Sequence, residues 1–120
     1  MSPADIVLVD LGLGNLRSVE KSLVLAASRA GVGSVTMTTD PDMVARARIV
    51  VVPGQGAFRD GAAALDSQGG AMRQCLVEVI RRGAPYLGIC LGLQLLLETS
   101  DEAPGARGLG LVAGAVRRIP

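Results

Sequence analysis

The apolar residues of this chain fall into two kinds of run. Ile6-Val7-Leu8-Val9 and Ile49-Val50-Val51-Val52 are continuous and mostly β-branched, with no polar residue alternating between them. That pattern suits strands buried on both faces, as in a parallel sheet lying between layers of helices. Other apolar residues recur at intervals of three and four, first Leu16, Val19, Leu23, Ala26 and Ala30, later Met72, Cys75, Leu76, Val79 and Ile80. These spacings predict two helices with one apolar face each. Asn15 can cap the first, expected from Leu16 to Ala30, and Gly31 and Gly33 stop it. Asp40-Pro41 is a cap followed by proline at the first helical position, which opens a short helix. "SVTMTT" reads as a weaker second strand and Tyr86 to Ile89 as a fourth, with a helix from Leu91 to Glu98 after it. "PGQGAF" and Gly69-Gly70 read as breaks, "SDEAPGARG" as a loop, and Leu109 to Val112 and Ala115 to Arg118 as short strands.

Strands alternating with helices predict an α/β fold, a doubly wound and mainly parallel sheet with helices on both faces. Ligand sites in such sheets lie at the carboxyl ends of the strands. "DLGLGN", "PGQGAF" and "GICLG" each follow a strand, so three glycine-rich turns are expected to meet along one edge.

Composition narrows the function classes. A chain of 120 residues suffices for one domain, and 49% hydrophobic content argues against disorder. The net charge of +1 and the 2% aromatic content leave neither a basic field nor stacking surfaces, so no nucleic acid partner is expected. No apolar run approaches the ~20 residues of a membrane span. The opening "MSPADIVLVD" lacks the charged start and cleavage-like site of a secretory leader. Two cysteines without an export signal fit the reducing interior, and a cytoplasmic location is expected. Two cysteines and no histidine cannot supply four ligands to a structural metal, so no metal is expected. Gly12-Leu13-Gly14-Asn15 approaches a dinucleotide fingerprint, but Arg17 stands at the third glycine and Asp10 precedes the loop, so no cofactor is expected.

The candidate chemistry centres on Gly88-Ile89-Cys90-Leu91-Gly92. Its spacing is that of a G-x-S-x-G nucleophile elbow with sulfur in place of oxygen. At such a turn the nucleophile sits in a strained conformation, and glycines two residues to either side allow close backbone approach. A helix N-terminus favours thiolate, and the Leu91 amide would face a developing oxyanion. The same five residues also fit a small buried cysteine between two packing glycines. Pro53-Gly54-Gln55-Gly56 can present successive N–H groups to an anion, or be an ordinary turn. Gln94, one helical turn after Cys90, is expected to face the same cleft. Cys75 reads as core, and Asp101 and Glu102 as loop charges.

Four stretches together resemble a known family. "VLVDLGLGNLRSVEKSL", "VVPGQGAFRDG", "PYLGICLGLQLLLETSDE" and "GLGLVAGAVRRIP" are similar to the class I (triad) glutamine amidotransferases, and within them to the glutaminase subunit of imidazole glycerol phosphate synthase. The resemblance covers essentially all of residues 1–120 and implies the N-terminal portion of a single amidotransferase domain, incomplete at its C-terminus. It implies hydrolysis of glutamine through a thioester on Cys90, with ammonia passed to a (β/α)₈-barrel cyclase partner in histidine biosynthesis. It further implies an oxyanion hole from the backbone of Leu91, Gly54 and Gln55, glutamine contacts at Gln94 and Gly56, and a partner interface near Asn15. Leu11 stands where the family commonly has tyrosine, and Gln55 where valine is frequent. The family's H-x-E pair has no counterpart in these residues, so the chain alone is expected to be inactive. The competing expectations are another class I amidotransferase and a non-catalytic binding module with this fold.

Overall fold

The computed structural model describes residues 5–120. The first four residues of the opening that reads as no leader lie outside the described residues.

Four parallel strands form the main sheet: β1 (Ile6–Val9), β2 (Val35–Thr38), β3 (Ile49–Gly54) and β4 (Tyr86–Cys90), in the order β2-β1-β3-β4. The continuous apolar runs have their cause in the two faces of this sheet. Val7, Val9, Val50 and Val52 enter one core cluster, whereas Ile6, Leu8 and Val51 enter a second on the opposite face. Each residue of a central strand therefore loses apolar surface to a helix layer, and each fully buried Val or Leu contributes about 1.5–3 kcal/mol.

The second cluster is covered by α1 (Leu16–Ala30) through Val19, Leu23 and Ala27. Asn15 caps this helix by accepting from the Ser18 N–H at 3.4 Å, and Gly31 ends it in the left-handed conformation at φ 70. The first cluster takes side chains from α2 (Pro41–Ala45), α3 (Phe58–Asp66), α4 (Ala71–Arg81) and α5 (Leu91–Gln94). Asp40 caps α2 through the Asp42 N–H at 2.9 Å, with Pro41 at the first position as expected. A 3₁₀ turn, Gln68–Gly70, joins α3 to α4. The α/β architecture with helices on both faces of a parallel sheet is the one expected.

Several elements differ from expectation. Helix α3 occupies a stretch whose flanks read only as glycine breaks. Its apolar face is Phe58, Gly61, Ala62 and Leu65, and Gly61 is a packing residue: a Cβ there would lie 3.0 Å from the Leu95 side chain. Helix α5 stops at Gln94 instead of running to Glu98. The segment expected as a strand from Leu109 to Val112 is the cause. The N–H groups of Leu109, Gly110 and Gly108 donate to the carbonyls of Leu95, Leu97 and Glu98. Those carbonyls are thereby satisfied outside a helix. The last expected strand shortens to β6 (Ala115–Val116), which pairs in parallel with β5 (Thr99–Ser100). No helix among the described residues is long and apolar enough to cross a membrane.

Candidate active site

Cys90 is the last residue of β4 and Leu91 the first of α5. The chain has no residue in which to turn between the two, so Cys90 itself absorbs the reversal, at φ 53 and ψ −111. Among the described residues only Gln68 shares a positive φ without being glycine. Such a conformation costs a side-chain-bearing residue about 1–3 kcal/mol and persists only where the surroundings enforce it. The flanking glycines are part of that enforcement. A Cβ on Gly88 would come within 2.6 Å of the Leu93 nitrogen, and one on Gly92 would overlap the Val52 carbonyl oxygen. Helix α5 is thus seated directly on the backbone of β3. Cys90 is exposed although Leu91 and Gly92 behind it are buried. The alternative of a cysteine buried between packing glycines does not describe this residue. It comes closer to Cys75, which is half-buried against the core and whose thiol is pushed up by burial, then by Glu78 and Asp42.

The sheet register places Gly54 directly opposite Cys90. The two turns are therefore neighbours at the carboxyl edge, one strand spacing apart, or about 4.8 Å. A hollow of about 50 Å³ there joins Ile89 and Cys90 to residues 13–15 and 53–55, so that all three glycine-rich turns meet. No acidic or basic side chain lines this hollow. Its chemical resources are one exposed thiol, the Asn15 and Gln55 side-chain amides and backbone N–H groups. The Leu91 N–H belongs to the first turn of a helix, where amides lack helical acceptors. The Gln55 N–H, in contrast, already donates to the Leu13 carbonyl at 3.3 Å. Gly14 allows this approach, since a Cβ there would lie 3.1 Å from the Gln55 nitrogen.

The remaining sequence candidates are more dispersed. Gly54 is buried beneath Leu91, while Gln55 and Gly56 are exposed, Gly56 at φ 127. Asn15 borders the hollow and is occupied in capping α1. Gln94 lines a different hollow of about 480 Å³, together with Ser100, Glu102 and Arg117. Glu102, which reads as a loop charge, accepts from the Phe58 N–H at 2.8 Å and so caps α3, whose own N-cap residue Ala57 has no capping side chain. The only sequence sign of that role is the uncapped start of an apolar period at Phe58. No three His, Cys, Asp or Glu side chains among the described residues group into a metal site.

The glutamine amidotransferase class-I family model matches residues 7–103, which include most of β1, all of β3 and β4 and the turn at Cys90. The chain belongs to the class I glutamine amidotransferases. Similar proteins include the imidazole glycerol phosphate synthase subunit HisH of Methylococcus capsulatus, 46% identical over 120 residues, covering 98% of this chain and 51% of that protein. The HisH subunits of Nitrosomonas europaea and of Thermus thermophilus are also 46% identical, over 114 and 113 residues, covering 95% and 94% of this chain. The chain spans about half the length of these relatives. A crystal structure of a glutamine amidotransferase superposes with a TM-score of 0.72 at 18% identity, over 94% of this chain and 56% of that one. That likeness concerns the fold. The α/β amidotransferase fold and the family reading of the four sequence stretches stand together on these matches.

Proposed function

We propose that these residues are the N-terminal portion of the glutaminase domain of an imidazole glycerol phosphate synthase, with Cys90 as its nucleophile. The observation that carries this reading is the exposed thiol held at positive φ at the β4–α5 junction, opposite Gly54. In the proposed reaction the Cys90 sulfur attacks the side-chain amide carbon of glutamine. The carbonyl oxygen takes up negative charge beside the Leu91 N–H. Collapse breaks the C–N bond, the nitrogen leaves as ammonia after gaining a proton, and water hydrolyses the thioester to glutamate. Gly54 and Gln55 are the proposed second source of oxyanion donors. For the Gln55 N–H to serve, it must leave the Leu13 carbonyl. Gln94 and Gly56 are proposed to contact glutamine.

Ammonia leaving and deacylation both need a proton carrier. The 120 residues contain no histidine, and we assign that role to residues outside them. The similarity to proteins described as synthase subunits supports a partner. The proposed one is a barrel-type cyclase, docked near Asn15, in the cytoplasm.

An electrophilic glutamine analogue tests the reading. It is expected to add one equivalent to Cys90, to be blocked by glutamine, and to fail with Cys90→Ser. Equal labelling of Cys75, or labelling that glutamine does not block, would overturn it. Steady ammonia release by the 120-residue chain is expected to be indistinguishable from background, and turnover that disappears with Cys90→Ser would contradict the assignment of the proton carrier.

A further inference from the structure

Helix α5 is too short to satisfy its own carbonyls. The Leu95 N–H donates to the Leu91 carbonyl at 2.9 Å, and the Leu96 N–H steps forward to the Leu93 carbonyl at 3.2 Å. The Gly92 carbonyl between them is passed over. Gly92 is buried, and a buried backbone acceptor needs a donor. The Tyr86 hydroxyl supplies it, donating to the Gly92 carbonyl at 2.7 Å.

Tyr86 opens β4, four residues before Cys90, and its ring packs against the larger core cluster. Burial pushes its phenol well above the ordinary tyrosine range, so the hydroxyl stays a neutral donor. Gly92 is thereby held from two sides, by the Val52 carbonyl beneath its Cα and by the Tyr86 hydroxyl at its oxygen. Cys90 lies along the chain between Tyr86 and Gly92, the two residues that this hydrogen bond ties together. Phenylalanine would fill the same space at position 86 and leave the Gly92 oxygen without a partner.

We propose that Tyr86 is a positioning residue for Cys90: by holding the Gly92 carbonyl, its hydroxyl fixes the first turn of α5 and keeps the thiol at the head of that helix. The proposal rests on the reading of Cys90 as the thioester-forming nucleophile, but its test needs no turnover. In Tyr86→Phe, alkylation by iodoacetamide is followed at both cysteines of the same molecule by mass spectrometry. The Cys90 rate is expected to fall by roughly three- to tenfold, the span of one net hydrogen bond, with the Cys75 rate unchanged. An unchanged or raised ratio of Cys90 to Cys75 rates overturns the proposal. General loosening of the fold would instead raise the Cys75 rate, and that outcome also counts against it.

A second measurement needs no variant that must fold. Tyr86 is the only tyrosine and the chain has no tryptophan, so near-ultraviolet absorbance and emission report this ring almost alone. Alkylation of Cys90 in the unmodified sequence is expected to shift the tyrosine band, and a band that does not move overturns the coupling. The two readings fail separately. A glutamine analogue that ignores Cys90 removes the glutaminase assignment and leaves the clamp standing. An analogue that labels Cys90 while the rate ratio and the tyrosine band stay still removes the clamp alone.

Discussion

At the scale of single residues, the β4–α5 turn sets geometry against stability. Cys90 has a Cβ where the backbone favours none. Cys90→Gly is therefore expected to raise the unfolding free energy by about 1 kcal/mol, despite the greater freedom glycine gives the unfolded chain. Urea titration followed by circular dichroism reads this as a higher midpoint. Gly92→Ala acts in the other direction. Its Cβ would overlap the Val52 carbonyl, a backbone atom that cannot rotate away. A loss of about 3 kcal/mol or more is expected in the same titration, at the upper end of overpacking effects. Gly88 and Gly92 were legible in the sequence because their spacing about Cys90 is that of a known turn chemistry. Tyr86 and Glu102 were not. Each acts on a backbone group of another element, Gly92 and Phe58 respectively, and neither pairing leaves a periodic trace.

At the scale of elements, polar side chains decide where helices and loops are held. Arg73 on α4 donates to the Gly108 carbonyl and, at 3.0 Å, to the Arg107 carbonyl, and it pairs with Asp66 at 2.7 Å. The Asp66 side chain is 62% exposed and that of Arg73 only 24%. The ion pair is consequently screened, and Asp66→Asn is expected to cost no more than about 0.5 kcal/mol. Arg73→Ala removes both carbonyl bonds as well and is expected to cost about 1–3 kcal/mol, with hydrogen exchange rising first across residues 106–110. Equal effects of the two substitutions would contradict this division. Glu102→Ala likewise leaves the start of α3 uncapped, and exchange at the Phe58 amide is expected to quicken, with a loss of about 1 kcal/mol. The four strands of the main sheet and α1 were readable because burial on two faces or one leaves its period in the sequence. Helix α3 was hidden because Gly61, which α5 requires for close packing, looks like a breaker when no neighbour is known. The end of α5 was not legible because the carbonyls that would have continued it are taken by residues ten or more positions further along.

At the scale of the whole molecule, two partly buried ionisable groups set an alkaline limit on stability. Tyr86 and Cys75 both ionise less readily in the folded state, mainly because of burial. Each contribution is complete below the unfolded-state value, about 8.5 for cysteine and about 10 for tyrosine. Above those values the unfolded chain releases protons that the folded chain retains, so stability falls as pH rises. Unfolding midpoints are expected to drop from about pH 9 upward, with tyrosinate absorbance appearing together with loss of helix signal. Tyrosinate appearing at ordinary pH in a chain that is still folded would contradict this. β4 is also an edge strand of the sheet. β4 has no partner on its outer side among the described residues, and Leu87, in register with the buried Val51, is 51% exposed. An open strand edge beside apolar surface favours self-association. Leu87→Lys is expected to lower light scattering at high concentration without moving the unfolding free energy by more than about 0.5 kcal/mol.

The Gln55 amide has a consequence for how such a site tolerates change. Its side chain is exposed, and what engages Leu13 is the main chain. At Leu91 too the proposed part is played by the N–H, although its side chain is buried in the core. A scan replacing side chains by alanine would pass over Gln55, and at Leu91 it would register only the loss of a buried side chain, so neither amide would show. Only proline, which removes the N–H, would expose the rest. Sequence drift at position 55 is therefore cheap, and valine, glutamine or another residue can stand there without touching the hydrogen bond that the main chain makes.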